Sequence, residues 1–524
     1  MDDQSVDATS RMMPFAANSL GRRIAMNTIS NYAGQIIVLA GGLLLTPILI
    51  QQLGATNYGL WALVSAIVGY TGLLDMGIAS AITRYVAAYK AQGKLERAAA
   101  LVITAICLYC ALGLLAIAIC FVLAALVPVH MPLSLNEQAQ LAWLIRLAGI
   151  AVGIGIPCAA SHAILRGLQR FDLANTIVIG GTLASMGAML IVLKMGWGLP
   201  GIILANLLTT VLSQIPSFML IHRIAPDLPL HFRLAERRLV REVGSFSWSL
   251  FVVNIAGQIH SKTDELVIGA SLPLASITPY ALARRLSEIA QLLTNQFVKV
   301  LMPLASELHA GNDHEQLRHL YIASSRLTLA AFVPIGLVIS IFADTILTVW
   351  VGPQYALAAP LVLVLTMANL IDMSQWPAAQ LLQGMGKHHP ISLISIISAF
   401  INLGLSIILL QHLGVIGVAL GTLIPSALET GLFVLPYALH TIKVSISTWL
   451  RRIFLPAALP ALPTTLLLYY LHRTSSFHSL LDLCLISIMA CVVYTLLFLL
   501  SSSSERVLLL QLLHLVRRDD KHLL

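Results

Sequence analysis

The chain has 524 residues, of which 58% are hydrophobic and 10% charged, with a mean hydropathy of +0.87. Soluble domains carry about 25% charged residues, so a string of soluble domains is excluded and a polytopic membrane protein is expected. The net charge of +8 does not point to nucleic acid, because the lysines and arginines fall mainly in short gaps between apolar runs, the pattern that sets membrane topology.

Asp2, Asp3 and Asp7 open the chain, and Arg22-Arg23 follows them. The apolar run beyond is far longer than the core of a signal peptide, about 7–15 residues, so it is expected to remain as the first span. A helix needs about 20 apolar residues to cross a bilayer. Fourteen runs meet that need: 27–51, 59–83, 99–127, 139–162, 173–193, 200–220, 245–270, 279–303, 320–343, 357–382, 391–411, 415–437, 453–471 and 480–500. Uninterrupted stretches such as Leu112 to Leu126 contradict the alternating segments of a β-barrel. The expected fold class is an all-α polytopic membrane protein with about 14 transmembrane helices.

With the N-terminus inside, 23 of the 31 lysines and arginines fall in cytoplasmic segments, and only Lys194 and Arg473 fall on the opposite side. Both termini are therefore expected in the cytoplasm. The remaining six, Arg146, Lys262, Arg284, Arg285, Lys299 and Arg326, lie within spans.

An internal repeat runs through the chain. Asn31-Tyr-Ala-Gly34-Gln35-Ile36 recurs as Asn254-Ile-Ala-Gly257-Gln258-Ile259, and Thr56-Asn-Tyr58-Gly-Leu60 as Thr278-Pro-Tyr280-Ala-Leu282. Further on, Leu165-Arg-Gly167-Leu-Gln-Arg170 faces Leu382-Gln-Gly384-Met-Gly-Lys387. An even number of spans per unit predicts two parallel six-helix lobes plus two C-terminal helices, with a substrate path between the lobes. The expected divisions are a tail (1–26), an N-lobe (27–221), a basic connector (222–243), a C-lobe (244–440), the last two spans (441–500) and a tail (501–524). The segment from Glu505 to Val516 reads as a short interfacial amphipathic helix.

Charges within spans are the candidates for function. Lys262, Asp264 and Glu265 in the seventh run face Arg284, Arg285 and Glu288 in the eighth. Equal rise on two helices joined near residues 274–275 puts Asp264 level with Arg285, Glu265 with Arg284, and Lys262 near Glu288. Arg284 and Glu288 also form an i,i+4 pair. Two readings stay open: a charge-compensated hairpin, or arginines that bind an anion in a hydrated cavity. Arg146, in the fourth run beside Trp143, Leu144 and Ile145, either snorkels to the interface or serves as an anion ligand, its planar fork suiting phosphate. Asp75, Arg84, Asp372 and Glu429 are candidates for coupling or gating, against capping and helix–helix hydrogen bonding.

Other patterns carry no chemistry. Gly384-Met-Gly386-Lys387 lacks the spacing of a P-loop, and His388-His389 lacks neighbouring ligands to complete a metal site. The six cysteines sit inside apolar runs, where they read as small hydrophobes. No catalytic constellation, cofactor or metal site is expected.

Three segments carry a family resemblance: the Asn27-Thr-Ile-Ser-Asn-Tyr32 span, the loop Leu53-Gly-Ala-Thr-Asn-Tyr58-Gly59-Leu60-Trp61, and Leu74-Asp75-Met-Gly77-Ile-Ala-Ser-Ala-Ile-Thr-Arg84-Tyr85. They resemble the polysaccharide transporter family, the Wzx-type flippases of the MATE/MurJ-like superfamily. Asp264-Glu-Leu-Val-Ile-Gly269, leading to Tyr280-Ala-Leu-Ala-Arg284-Arg285, is similar to that family's seventh-span signature. The resemblance implies two lobes around a central cavity, alternating access, and export of a polyprenyl-pyrophosphate-linked oligosaccharide, an O-antigen or exopolysaccharide unit, across a bacterial inner membrane. It implies pyrophosphate or acidic-sugar binding by Arg146, Arg284 and Arg285, with Lys262 a further candidate, H⁺ or Na⁺ coupling, and a polysaccharide polymerase complex as neighbour. The rivals are a cation-coupled multidrug exporter, disfavoured by the absence of an acid in 27–51, and a non-transporting scaffold of polysaccharide assembly.

Overall fold

The computed structural model describes residues 7–75, 77–226, 236, 238–240, 258, 262–298, 301–475, 477 and 479–501, with side chains from residue 34 onward except those of 36, 296 and 297. Among the described residues every regular element is helical. The chain divides into two compact units, Met1–Gln258 and Ile259–Leu524. The expected tail helix 505–516 lies outside the described residues, as does most of the seventh run and of the connector.

Unit 1 contains α1 (Asp7–Gly69), α2 (Ile78–Ala91), α3 (Leu95–Leu126), α4 (Leu135–Gly167), α5 (Phe171–Lys194), α6 (Gly198–Leu212) and α7 (Gln214–Ile224). Gly54, at φ 76° and ψ 168°, breaks α1 into two helical segments, where the sequence places a hinge loop. A 3₁₀ stretch, Tyr70–Asp75, then separates α1 from α2. A capping box starts α4, Ser134 and Glu137 each satisfying the other's backbone N–H. Close approach of α3 and α4 depends on small residues: a Cβ on Gly113 would strike the carbonyl of Gly153, and one on Gly149 would strike Cys120. The connector touches this unit at two described residues: Glu236 N–H donates to Thr104 Oγ1 at 3.0 Å and Leu239 joins the apolar core.

Unit 2 contains α8 (262–271), α9 (Ile277–Val298), α10 (Leu301–Ala310), α11 (His314–Ile341), α12 (Ala343–Val351), α13 (Ala359–Gly384), α14 (His389–Leu413), α15 (Val415–Leu428), α16 (Leu435–Ile442), α17 (Ile446–Trp449), α18 (Leu455–Thr474) and α19 (Leu480–Ser501). Two π-helical turns, Glu429–Val434 and Leu450–Phe454, interrupt the run from α15 to α18. The hairpin of α18 and α19 is tied by Tyr494 Oη donating to the Ala457 carbonyl at 2.7 Å, and its apolar side packs on Val338 and Phe342.

Eleven stretches among the described residues are long and apolar enough to cross a membrane. The first, Ile37–Ala91, joins the expected first and second runs. The expected eighth run is α9, where three charges (Arg284, Arg285, Glu288) fall within any 18 consecutive residues. These stretches turn large apolar side chains outward, as at Leu114 (69% exposed) and Leu466 (71%). In water such a surface would drive aggregation; in lipid it costs nothing. The protein is a multi-span integral membrane protein.

The repeat read from sequence has a structural counterpart at helix ends. In unit 1 the N–H groups of Leu168, Gln169 and Arg170 donate to Ile164, Arg166 and Leu165. In unit 2 those of Met385, Gly386 and Lys387 donate to Leu381, Gln383 and Leu382, the same pattern. Both turns place one residue in the left-handed region, Gln169 at φ 63° and Gly386 at φ 70°. Gly198-Leu-Pro-Gly201 and Gly414-Val-Ile-Gly417 form a further pair, with positive φ at Gly198 and Gly414. The side-chain bonds Ser185–Asn206 and Asn402–Thr422 join α5 to α6 and α14 to α15 at corresponding places.

Candidate functional site

The α8–α9 hairpin of unit 2 gathers most of the intramembrane charge. The described turn, a 3₁₀ stretch Leu274–Ser276, reverses the chain so that the two helices run side by side. Arg284 Nη1 lies 2.9 Å from Glu265 Oε1 and 3.0 Å from its Oε2, while Arg284 Nε lies 2.9 Å from Glu288 Oε1. One guanidinium thus bridges two carboxylates, the arrangement that lets three charges stay out of water. The expected level of Glu265 with Arg284 and the expected i,i+4 pair of Arg284 with Glu288 agree with this geometry.

Asp264 behaves differently. It was expected level with Arg285, but it is buried against Tyr280 and Thr422, and both hydroxyls donate to it. Arg285 is exposed on α9 and has no ion pair among the described residues. Consecutive residues on a helix point about 100° apart, so Arg284 and Arg285 cannot both face α8. From Thr422 the network continues to Asn402, whose Nδ2 donates to Thr422 Oγ1 at 3.1 Å and to the Gly421 carbonyl at 3.0 Å. Three elements, α8, α9 and α15, therefore meet at one buried carboxylate, and α14 joins them through Thr422. Lys262 is half-buried and makes no hydrogen bond to Glu288; its charge acts on Glu265 instead.

Beside this hairpin, α9, α11 and α19 line an apolar groove of about 700 Å³, with Leu286, Leu293, Val338, Leu483 and Ile488 among its walls.

In unit 1, Asp75 closes the 3₁₀ stretch and holds its exit. It accepts a hydrogen bond from Tyr109 of α3 and another, at 3.2 Å, from Gly77 N–H, where α2 begins. Arg84 is exposed, its guanidinium 5.5 Å from the Tyr85 ring. Arg146 is exposed on α4 with no acid partner among the described residues, beside Trp143, which is 48% exposed. Glu429 opens a π-helical turn of unit 2 and accepts from Ser395 Oγ at 2.6 Å. Asp372 is half-buried on α13.

The residues that sequence reasoning missed are neutral ones: Tyr109, Tyr280, Ser395, Asn402 and Thr422. Tyr280 had a signal, since it repeats Tyr58 in the internal duplication. The others are single polar residues in apolar runs, and no local pattern separates those that meet a carboxylate from those that bond to their own helix. Among the described residues no cluster of His, Cys, Asp and Glu could hold a metal ion.

This fold is similar to that of lipid II flippase MurJ in its inward closed conformation, with a TM-score of 0.70 over 91% of this chain and 99% of that one, at 16% identity. A multidrug resistance MATE family transporter in an inward-facing conformation is also similar, with a TM-score of 0.63 over 78% of this chain and 94% of that one, at 15% identity. In sequence, the probable low-salt glycan biosynthesis flippase Agl15 of Haloferax volcanii is 23% identical over 190 residues, covering 36% of this chain. The chain spans 40% of the length of that relative. Residues 48–360, more than half of the chain, match the family described as polysaccharide biosynthesis protein. The chain belongs to the polysaccharide biosynthesis protein family.

Proposed function

We propose that this chain is a flippase that moves a polyprenyl-pyrophosphate-linked oligosaccharide across the bacterial inner membrane by alternating access between its two units, with both termini cytoplasmic and no catalytic step. The observation that carries this reading is the family match over residues 48–360 in a chain of MurJ-like fold. The name of the Haloferax volcanii relative supports it, as a glycan flippase.

The side-chain geometry divides the candidate residues into two groups. Arg146 and Arg285 are exposed and without acid partners among the described residues, so they are the proposed ligands of the pyrophosphate. Arg284 is engaged by Glu265 and Glu288 and reaches an anion only by giving up one of them. Lys262 contributes positive charge beside Glu265. The apolar groove of α9, α11 and α19 offers the prenyl chain a surface without polar groups to desolvate. Asp264, with Tyr280, Asn402 and Thr422, supplies only oxygen and amide groups, which suits a proton or a hard cation such as Na⁺. Asp75, Asp372 and Glu429 are its alternatives for coupling, and Arg84 a gating candidate.

Gene deletion in the host tests the reading. Loss of surface polysaccharide with a build-up of lipid-linked oligosaccharide in the inner leaflet, reversed by the wild-type gene and not by an Arg146→Ala/Arg285→Ala double variant of equal abundance, is the expected result. The MATE-like fold favours one second reading, a cation-coupled multidrug exporter. Normal surface glycan and normal lipid-linked pools, with new sensitivity to cationic drugs, would support that reading instead.

A further inference from the structure

A second cavity of unit 2, of about 500 Å³, opens between α10 and α11. Its walls include Leu304 and Leu308 of α10 and Leu320 and Ala323 of α11, with the exposed Glu307 and His319 beside them. By the lysine and arginine count, the turn that joins Ala310 to His314 faces the cytoplasm. An apolar groove at that level is covered either by lipid or by protein, and charge decides between them. The cytoplasmic leaflet carries anionic headgroups, so an acyl chain seated here would bring its phosphate up to Glu307. That carboxylate has no ion pair among the described residues, and Arg318 is not among the walls. The groove therefore favours an apolar occupant that carries positive charge.

A segment of this chain has that character and starts within reach. Val507 to Val516 holds six leucines, with Arg506 before it and Arg517-Arg518 after it. At about 100° per residue, Leu508, Leu509, Leu512, Leu513 and Val516 share one face, and Gln511, His514 and Arg518 lie opposite. Leu293 of α9 and Leu496 of α19 are the last residues of their helices to line the apolar groove of α9, α11 and α19. From Leu496, five residues complete α19 at Ser501; from Leu293, eleven lead to Leu304. At helical rise these stretches are about 7.5 and 16.5 Å, a difference of about 9 Å. Ser502, Ser503 and Ser504 span about 10 Å when extended, which brings Glu505 and the residues after it to the level of the cavity.

We propose that the segment 505–518 docks as an amphipathic helix in the groove between α10 and α11, its leucines against Leu304, Leu308 and Leu320 and its terminal arginines beside Glu307. The docked segment straps the cytoplasmic end of α19 to α10 and α11 of the same chain. It stands apart from the transport reading, since it requires no cargo.

Full-length protein in host membranes tests the docking by photocrosslinking. A benzoylphenylalanine probe replaces Leu308 in the groove or, as a control, Leu466 on the outer surface of α18, which is 71% exposed. Mass spectrometry of the digested protein identifies what each probe captures, and migration as a monomer separates capture within one chain from capture of a second copy. The probe at Leu308 is expected to capture a peptide from 505–518 of its own chain, and the probe at Leu466 is expected not to. Glu307→Arg is expected to lower that capture at least fivefold, and Arg517→Glu with Arg518→Glu in the same chain to restore at least half of it. Glu307 is exposed, so its replacement is expected to leave the fold intact, which size-exclusion behaviour checks. Capture of phospholipid alone, of a second copy or of another protein at Leu308 would overturn the proposal. So would equal capture of 505–518 at both probe positions, or capture at Leu308 that Glu307→Arg leaves unchanged.

Discussion

The two units share backbone turns and differ in charge. At the offset set by Thr56/Thr278 and Tyr58/Tyr280, Asp264 corresponds to Gly42, Glu265 to Leu43, Arg284 to Ala62, Arg285 to Leu63 and Glu288 to Ala66. The tyrosine persists and every charge is replaced by an apolar residue or glycine. Helix ends at Gln169 and Gly386 nevertheless close with the same hydrogen bonds. The turns and small-residue contacts that build the fold are thus separable from the charges. Unit 1 folds without the ion pairs, so those of unit 2 are not required by the helix arrangement and are more economically explained by what the protein does.

The sharpest way to break this comparison is to empty the hairpin of its base. Arg284→Ala leaves Glu265 and Glu288 facing each other, with Glu265 only 9% exposed at its side chain. Removing one partner of a buried pair costs about 3–5 kcal/mol, so this variant is expected to show the largest loss of thermal stability in detergent. Replacing the buried pair together, Arg284→Ala with Glu265→Leu to match Ala62 and Leu43, is expected to recover most of that loss. A double variant no more stable than Arg284→Ala would mean that the charges hold the helices in place, against the lesson drawn from unit 1.

A smaller difference separates the two tyrosine–aspartate bonds. Tyr280→Phe strips a buried Asp264 of a donor, while the Thr422 hydroxyl stays in place. Leaving a buried acceptor short of a partner costs about 1–3 kcal/mol. Tyr109→Phe deprives Asp75, which is half-exposed and keeps Gly77 N–H, so its cost is expected to be lower. Unfolding midpoints of the two variants, measured side by side, check the order; equal losses would mean that burial at Asp264 does not set the energetics.

These contrasts also mark what the amino-acid sequence makes legible. The helical membrane fold follows from composition and run length, because lipid admits few other structures. The Glu265–Arg284–Glu288 ladder follows from helix rise and i,i+4 spacing, which are local rules. Equal rise puts Asp264 level with Arg285 but does not give the direction in which either points, and Asp264 meets Tyr280 and Thr422 instead. Tyr109, Asn402 and Thr422 were invisible for a different reason. They meet their partners across 34, 20 and 158 residues of chain, and only tertiary packing selects them from the many polar residues in apolar runs.

Two close contacts test the repeat at the level of packing. A Cβ on Gly384 would strike the backbone carbonyl of Met302, whereas one on Gly167 would meet the side chain of Val86 at 2.8 Å. Val86 Cβ is fixed to its own helix backbone, so neither contact is relieved by a rotamer change, and the shorter approach at Gly384, 2.4 Å against 2.8 Å, demands the larger helix shift. Gly384→Ala is therefore expected to cost about 1–3 kcal/mol, the range for overpacking, and Gly167→Ala less. Thermal unfolding of each variant reads the difference, and a larger loss at Gly167 would show that α2 is held more rigidly than α10.

The mildest test concerns the left-handed residue that ends α4 and α13. Gln169 and Gly386 occupy the same turn at φ 63° and 70°, and both are exposed. A Cβ at Gly386 would touch nothing within 4 Å, so backbone conformation alone distinguishes the two sites. An L-residue in this region carries a penalty of roughly 1–2 kcal/mol that glycine lacks. Glycine gives back about 0.4–1 kcal/mol through the greater freedom of the unfolded chain. Gly386→Ala is therefore expected to lower stability by about 1 kcal/mol, and Gln169→Gly to raise it by up to the same amount. The opposite signs are what a shared turn requires. Shifts of the same sign in the two variants would show that the Gln169 side chain stabilises its turn through contacts of its own, and the two helix ends would then be alike in hydrogen bonding but not in energy.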